Sequence, residues 1–540
     1  MGPQHQISLG DPLVQPLGRS RPPRRSAQLV ALLFATQLAS ACAGAGASSS
    51  GSSSPKTTTY HVAADGDDGD AGDADAPFAT IGRALRMTDA GRIKVAAGRY
   101  REDVDVARGV RIVGTQKSVV EGTLRIQGAR VEIDGLQVRG AVRVEGGDLT
   151  AKRLRVEGLE ADTLTVQDGR GQFEELELSC GTKACLHARS ATVSVRGGQL
   201  EGGPETAHGV RGRDSQLTLE KIGVSGGRQA QIQVTDGSRL RIDGAQLSAS
   251  RGTAIIAIQS KVRGAQVNVH DGADQGLVVS RSQARFVRST FGASRSWTLG
   301  QQGGELRLQG CTVGPGPRGA INVSGYRGQG GRLTMNGGEV RHGDSIGLAV
   351  GQGHARVEGV RFTGRPGAEK GDAISASGET AKLDLVSASI ASPAGFGVGL
   401  YNNAIATITA TITDPALGGV VVQSSPGGAV VVKDTRITGC GAGPGLAAFD
   451  VMDLKVDGLH ISGCKAGAVV AGERARAEIT SATLVDNGDV GIAAYGGAQI
   501  RVGDSRIKAG RWATYAACAT GGYIHYRPGN RLAGRASRCP

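Results

Sequence analysis

One apolar position recurs along most of this 540-residue chain at nearly constant spacing. It reads as Val138, Val156, Leu178, Leu200, Val224, Leu247, Val267, Phe291, Val313, Val340, Phe362, Ile390, Ile412, Ile437, Ile461, Leu484 and Ile507. The steps gather around roughly 22 to 24 residues, within the range of repeats that build solenoids. A second ladder runs five residues upstream, through Ile242, Val262, Phe286, Leu308, Met335, Val357, Leu385, Val432, Val456, Ile479 and Val502. A chain with this pattern spreads one core over its whole length, and any site has to be found against that repetitive background.

Within a repeat, Arg239-Leu240-Arg241-Ile242-Asp243 alternates polar and apolar, breaks at Gly244, and resumes at Gln246-Leu247. Period-2 alternation interrupted by glycine is a strand, a bend and a second strand. Thr253 to Ile258, rich in β-branched residues, supplies a third strand. No repeat has helix-length 3.6 periodicity, and the repeat is too short for a four-stranded propeller blade of about 40–45 residues. The expected fold is all-β: a right-handed parallel β-helix of about 22-residue coils, with a short N-terminal capping helix. The 87 glycines suit its corners. The 3% aromatic content suits a narrow interior and argues against an obvious sugar-stacking platform.

The chain start follows other rules. Arg19, Arg21, Arg24 and Arg25 precede an apolar run from Ala27 to Ala39, and small residues lead to Cys42. A basic region, a short apolar stretch and small residues describe an export signal, and the run is short for a permanent membrane span. Ser40-Ala41-Cys42 resembles the lipobox of bacterial lipoproteins, with Ala39 where leucine is usual. That resemblance implies lipidation of Cys42. An Ala/Gly/Ser tether follows. The expected organisation is a signal over 1–42, a linker over 43–58, an entry module over 59–108, coils over 109–514 and a C-terminal cap over 515–540 that breaks the ladder.

The entry segment contains an acidic, glycine-rich loop from Asp65 to Asp75. Pro77-Phe78-Ala79-Thr80-Ile81, Ala84-Leu85 and Ile93-Lys94-Val95-Ala96-Ala97-Gly98-Arg99-Tyr100-Arg101-Glu102 follow. It resembles the entry module of bacterial β-helix proteins in the pectate-lyase-like superfamily. The resemblance implies that a short helix, with Phe78, Ile81, Leu85 and Met87 inward, plugs the first coil, as terminal repeats require. The superfamily includes polysaccharide lyases and hydrolases as well as surface proteins, so the fold alone does not specify an activity.

The most enzyme-like position is the stacked pair Asp344 and Asp372, with Arg341 and His342 nearby, because neighbouring carboxylates can act on a glycosidic bond. An aspartate after glycine is more simply a turn former bonded to its own backbone. Asp65, Asp67, Asp68 and Asp70 are the only candidate Ca²⁺ ligands, at spacings that miss an EF-hand; no other metal or cofactor is expected. Cys311 aligns with Ala245 as a buried thiol. Cys180 and Cys185 flank a short loop, Cys440 and Cys464 each lie three residues after a ladder isoleucine in adjacent coils, and Cys518 with Cys539 would tie the C-terminus; these are the candidate disulfides.

The formal charge of +13 suits anionic partners, but it is read as singles such as Arg239, Arg241 and Arg251, with no nucleic-acid motif. The expectation is therefore an exported, lipid-anchored β-helix protein at the outer membrane or cell surface, with a structural or polysaccharide-binding role; a periplasmic or secreted form is the alternative location. Its partners would be the membrane, through the lipid, and an anionic polysaccharide or another envelope protein. The competing expectation is a lyase or hydrolase acting on acidic polysaccharide.

Overall fold

The computed structural model describes residues 58–537 except 88–89, 159–160, 249–250, 271–272, 293 and 366–370. The expected leader, Cys42, nearly all of the linker, and Cys539 lie outside the described residues. Among the described residues no helix is long and apolar enough to cross a membrane.

One coil shows how the sequence becomes structure. Its three strands are Arg239–Asp243, Gln246–Ser248 and Thr253–Ile258. Each pairs in parallel with its counterpart in the next coil: Lys261–Ala265, Asn268–Val269 and Leu277–Ser280. Repetition over about 20 coils gives a right-handed parallel β-solenoid with three faces. We call them sheets A, B and C, in the order in which the chain enters them. Neighbouring rungs lie about 4.8 Å apart.

Alternation decides what faces inward. Leu240 and Ile242 from sheet A, Leu247 from sheet B, and Ile255 and Ala257 from sheet C belong to one continuous buried core. Ile437, Ile461, Leu484 and Ile507 stack in register in sheet B, each with no exposed surface. Their burial stabilises the fold by roughly 1.5–3 kcal/mol per side chain.

Two ladder positions differ from the sequence reading, both in one coil. Leu247 pairs with Val269, which pairs with Phe291; Val267 is buried, but one corner earlier. In sheet A, Ile242 pairs with Gly264 and not Val262, and Gly264 pairs with Phe286. The cause is side-chain volume. A Cβ at Gly264 would overlap the Phe286 ring, so the glycine makes room for it. With no side chain of its own, Gly264 leaves the register unmarked in the sequence.

The bend between sheets A and B places one residue in the left-handed region in most coils. Gly244 fills it at φ 63°, yet Lys221 and Gln266 adopt φ 52° and 50° at the equivalent place. Glycine is favoured at this corner but not obligatory.

At the entrance, Ile81–Arg86 forms helix α1. Thr80 caps it by accepting from the Arg83 N–H, and Glu102 accepts from the N–H groups of Ile81 and Gly82 at 2.7 and 2.8 Å. Phe78, Ile81 and Ala84 are buried, while Leu85 and Met87 pack half-buried against the core. At the other end the ladder is not broken. Tyr523–Tyr526 and Arg531–Ala536 add a further rung to sheets A and B. Ile524 and Leu532 still face the core there, which the many polar neighbours disguise in the sequence.

Cys180 and Cys185 are joined in a disulfide, as are Cys440 and Cys464, with Cα atoms 4.2 Å apart in the second pair. Cys311 is a buried free thiol. Cys518 is disulfide-bonded.

Candidate functional site

Each rung of sheet C presents two outward positions. From the middle of the solenoid onward the first is mostly small: Ala349, Ser375, Gly399, Val421, Ala447, Val470 and Ala493 follow in register. The second carries Tyr401, then Gln423, Phe449 and Gly472. Tyr495 follows the next rung, and Tyr515 pairs with Ala493 in the last. The result is a floor of small residues, buried at Gly399, Val421, Ala447 and Ala493, with Tyr401, Phe449 and Tyr495 beside it and Tyr515 as its last position.

Glycines set where the rings lie. A Cβ at Gly472 would stand 2.6 Å from Tyr495 Cε2 and 3.2 Å from Phe449 Cδ1. The two rings therefore converge over it, with centroids 6.4 Å apart and planes tilted by 55°. Tyr495 and Tyr515 are 38% and 40% exposed, and Trp512 meets Tyr515 at 5.5 Å. Loops between sheets B and C flank the floor and carry Phe396 and Leu417.

Asp372 stands at the edge of this face. Its Oδ1 accepts from the Phe396 N–H at 2.8 Å, and its Oδ2 accepts from the Tyr401 hydroxyl at 3.1 Å. Burial raises the Asp372 carboxyl above its usual range, and these two donors pull it partly back. Burial and the neighbouring Asp372 charge push the Tyr401 hydroxyl upward. Asp372 is thus a staple between coils and not a turn bonded to its own backbone.

The pairing of Asp344 with Asp372 is not formed. The Asp372 carbonyl accepts from Gly347 N, and Gly371 lies against Ser345, so the second carboxylate is displaced along the rung. Asp344 projects into solvent and meets Arg365 at 3.7 Å. His342 is wholly buried beside Gly347 and Gly364, with no polar partner on either ring nitrogen. Burial lowers its pKa, so it is a neutral core residue and cannot reach a ligand. Arg341 pairs with Glu339 at 2.8 Å.

The acidic loop has local work. Asp67 Oδ1 accepts from Gly69 N, and Asp68 accepts from both the N–H and the hydroxyl of Thr80. Asp65 and Asp70 lie in the same turn. Among the described residues no group of three or more His, Cys, Asp or Glu side chains is placed to hold a metal ion.

Sequence reasoning misses one constellation on sheet C. Asp162 Oδ2 lies 2.8 Å from His187 Nδ1, and Asp162 Oδ1 accepts from Ala184 N. A carboxylate only accepts, so His187 Nδ1 carries a proton. Burial alone would raise the Asp162 pKa; the bonds from His187 and Ala184 overcome it and hold the carboxyl low. His187 pairs in register with Arg211, and Arg189 with Arg213. His208, buried one rung on, is pushed down to about 4 by burial and by the Arg211 charge. Asp162 and His187 are 25 residues apart, and only the coil register reveals their contact. Sheet C is therefore cationic toward its N-terminal end and aromatic toward its C-terminal end. Asp162 and Asp372 sit about nine rungs apart, roughly 43 Å at the strand spacing, far beyond the few ångströms of a glycosidase pair.

A family model described as a right handed beta helix region matches residues 372–527. No curated protein matches. Among solved structures, XylC in complex with xylose is 8% identical, with 50% of this chain and 76% of that chain covered and a TM-score of 0.31. The catalytic domain of a GH87 alpha-1,3-glucanase in complex with tetrasaccharides is 12% identical, at 70% and 67% coverage and a TM-score of 0.28. A variant of the PL6 family alginate lyase AlyGC is 9% identical, at 85% and 98% coverage and a TM-score of 0.26. At these identities the likeness is one of fold alone, and what this chain shares is the right-handed parallel β-helix.

Proposed function

We propose that this chain is an exported, lipid-anchored β-helix protein of the cell envelope, and that the outer face of sheet C binds polysaccharide. The observation that carries the binding role is the row of rings at Tyr401, Phe449 and Tyr495 beside a small-residue floor that ends on Tyr515. In a chain with 3% aromatic residues, the exposed Tyr495 and Tyr515 beside the half-buried Phe449 and Tyr401 suit the apolar faces of sugars. The test is a glycan-binding screen of the purified protein, with Phe449→Ala and Tyr495→Ala beside it. Each lost ring should weaken binding by roughly 3- to 10-fold, the equivalent of about 0.5–1.5 kcal/mol. Absence of glycan binding, or binding indifferent to both substitutions, would remove the proposal.

The anchor rests on Ser40-Ala41-Cys42 and is tested separately. Labelled fatty acid should enter the wild-type protein and not Cys42→Ala, which should leave the membrane fraction. Failure of the label to enter wild type refutes the anchor.

The Asp162–His187 pair supports a second reading, a lyase for acidic polysaccharide. His187 Nε2 would take the C5 proton α to a uronate carboxylate while Arg211 offsets that carboxylate's charge; the C4–O glycosidic bond would break as the C4–C5 double bond forms, and the departing oxygen would take a proton from water. An unsaturated uronate product, lost in His187→Ala, would establish it; no product from polygalacturonate or alginate would exclude it for those substrates.

A further inference from the structure

The charge that reads as scattered singles is ordered by the coils. Arg241, Arg263, Arg285 and Arg307 pair in register at one outward position of sheet A, in four consecutive coils. All four are exposed. The adjacent outward column adds Arg239 and Lys261. Like charges directly opposite one another in a sheet are destabilising, so such a row needs an account.

Elsewhere among the described residues the same column repeats a like charge only once, where Arg92 pairs in register with Arg111 at the entrance. Nearer the entrance, its Arg111 pairs in register with Glu132 at 3.9 Å. The next rungs carry the uncharged Thr150, Gln172, Ser194 and Thr218. In the arginine row only Arg307 has a carboxylate, Glu305 at 2.7 Å. Arg285 donates to the amide oxygen of Gln309 at 3.2 Å. Among the described residues, Arg241, Arg263 and Arg285 form no ion pair.

Past the row the arginine column carries Thr334, Arg356 and Asp384, while in the adjacent column Arg332, His354 and Lys382 follow Glu305 in register and line a glycine-walled cavity of about 360 Å³. Asp384 meets His354 there at 2.7 Å.

We infer that this face of sheet A is a binding track for a linear polyuronate whose carboxylates are shared along the arginine row. Guanidinium groups bind carboxylates through paired N–H donors. The row repeats at about the strand spacing of 4.8 Å. An extended polyuronate carries one carboxylate per sugar ring, and because successive rings turn about the chain axis, the carboxylates that face the row come about every second or third ring, one to about two or three arginines. The row runs along one column with Arg239 and Lys261 beside its first two arginines, unlike the paired diverging phosphate rows of a duplex, and it holds no aromatic on which bases could stack. The track is a different face from the aromatic one on sheet C, so either assignment can fail without the other.

The experiment measures binding of the whole protein to polygalacturonate, alginate, a neutral glucan and single-stranded DNA at two salt concentrations. Wild type should bind a polyuronate, more weakly at high salt. The variant Arg241→Gln/Arg263→Gln/Arg285→Gln should lose about 30-fold, at roughly threefold per arginine. A charge-matched control, Arg111→Gln/Arg139→Gln/Arg155→Gln, removes equal charge from paired positions and should lose less than about threefold. The first variant should also melt no lower than wild type, because it relieves repulsion; a structural role for the row would lower its melting temperature. Neutral glucan binding should not change in it. No polyuronate binding by wild type, equal loss in both triple variants, or tighter binding to DNA than to either polyuronate at equal salt would overturn the inference.

Discussion

Two glycine-to-alanine substitutions with similar local geometry should have opposite consequences, because only one of the displaced rings has solvent to move into. At Gly472 the new methyl group would stand 2.6 Å from Tyr495 Cε2, about 1 Å inside ordinary contact. Tyr495 is 38% exposed, so its ring can swing outward. An off-rotamer displacement costs roughly 0.5–1.5 kcal/mol, and Gly→Ala in a strand recovers about 0.5–1 kcal/mol of backbone entropy. The net change in stability should be within about 1 kcal/mol. The platform with Phe449 would be lost, however, and glycan affinity should fall roughly 3- to 10-fold. At Gly264 the methyl would collide with Phe286, which has no exposed surface and packs edge-on against Phe291 at 5.2 Å. That ring has nowhere to go, and overpacking should cost about 1–3 kcal/mol. Replacing Phe286 by leucine in the same chain should recover most of the loss. Solenoids unfold by neighbouring coils, so local hydrogen exchange in the flanking strands is the better assay, combined with glycan titration. Equal destabilisation by the two alanines, or unchanged glycan binding by Gly472→Ala, would refute the reasoning.

Other consequences follow from the fold. Ile461→Asp buries an unpaired charge in the sheet B column and should abolish folding of the coils around it, read as loss of protection from exchange. Reduction, or Cys440→Ala with Cys464→Ala, should destabilise by about 3 kcal/mol for a 24-residue separation, against about 2 kcal/mol for the five-residue separation of Cys180 and Cys185. His208 has a folded pKa of about 4 against an unfolded value near 6.5. The unfolded chain takes up the proton first, so this stability is complete above about pH 6.5 and is lost as pH falls toward 4. The gap between the two values corresponds to a loss of roughly 3 kcal/mol. His208→Gln should flatten that part of the stability–pH curve, and an unchanged slope would show that His208 is not its source.

The architecture is legible in the sequence because the inward positions must be apolar in every coil, and a repeated isoleucine is easily found. The strands at Arg239, Gln246 and Thr253 fall where alternation and glycine put them. The ladder slips at Val262 and Val267, where one coil exchanges a large core side chain for glycine beside Phe286. The C-terminal rung is hidden for a related reason: an end rung packs on one side only, so polar residues outnumber the core contacts at Ile524 and Leu532. Asp372 stands out in the sequence for its position after glycine, but its partners, Phe396 N and the Tyr401 hydroxyl, lie 24 and 29 residues on. A turn motif read locally has no access to a bond made by the next coil.

The outward columns hold the functional information, and a scan for apolar periodicity discards them. Tyr401, Phe449 and Tyr495 look unrelated in sequence because intervening rungs carry glutamine and glycine, and because the coils differ in length. Arg241, Arg263, Arg285 and Arg307 are a different case. They recur at the coil period with no interruption, so aligning charge in the way that apolarity is aligned brings them out of the amino-acid sequence directly. A buried column repeats because the core demands it, whereas an exposed column has no such requirement. Solvent accepts any polar residue, and electrostatics favours alternation, as Arg111 and Glu132 show. An exposed cation repeated without its counter-ion is therefore the pattern that packing cannot explain, and it is this departure that points to a ligand carrying the missing charge.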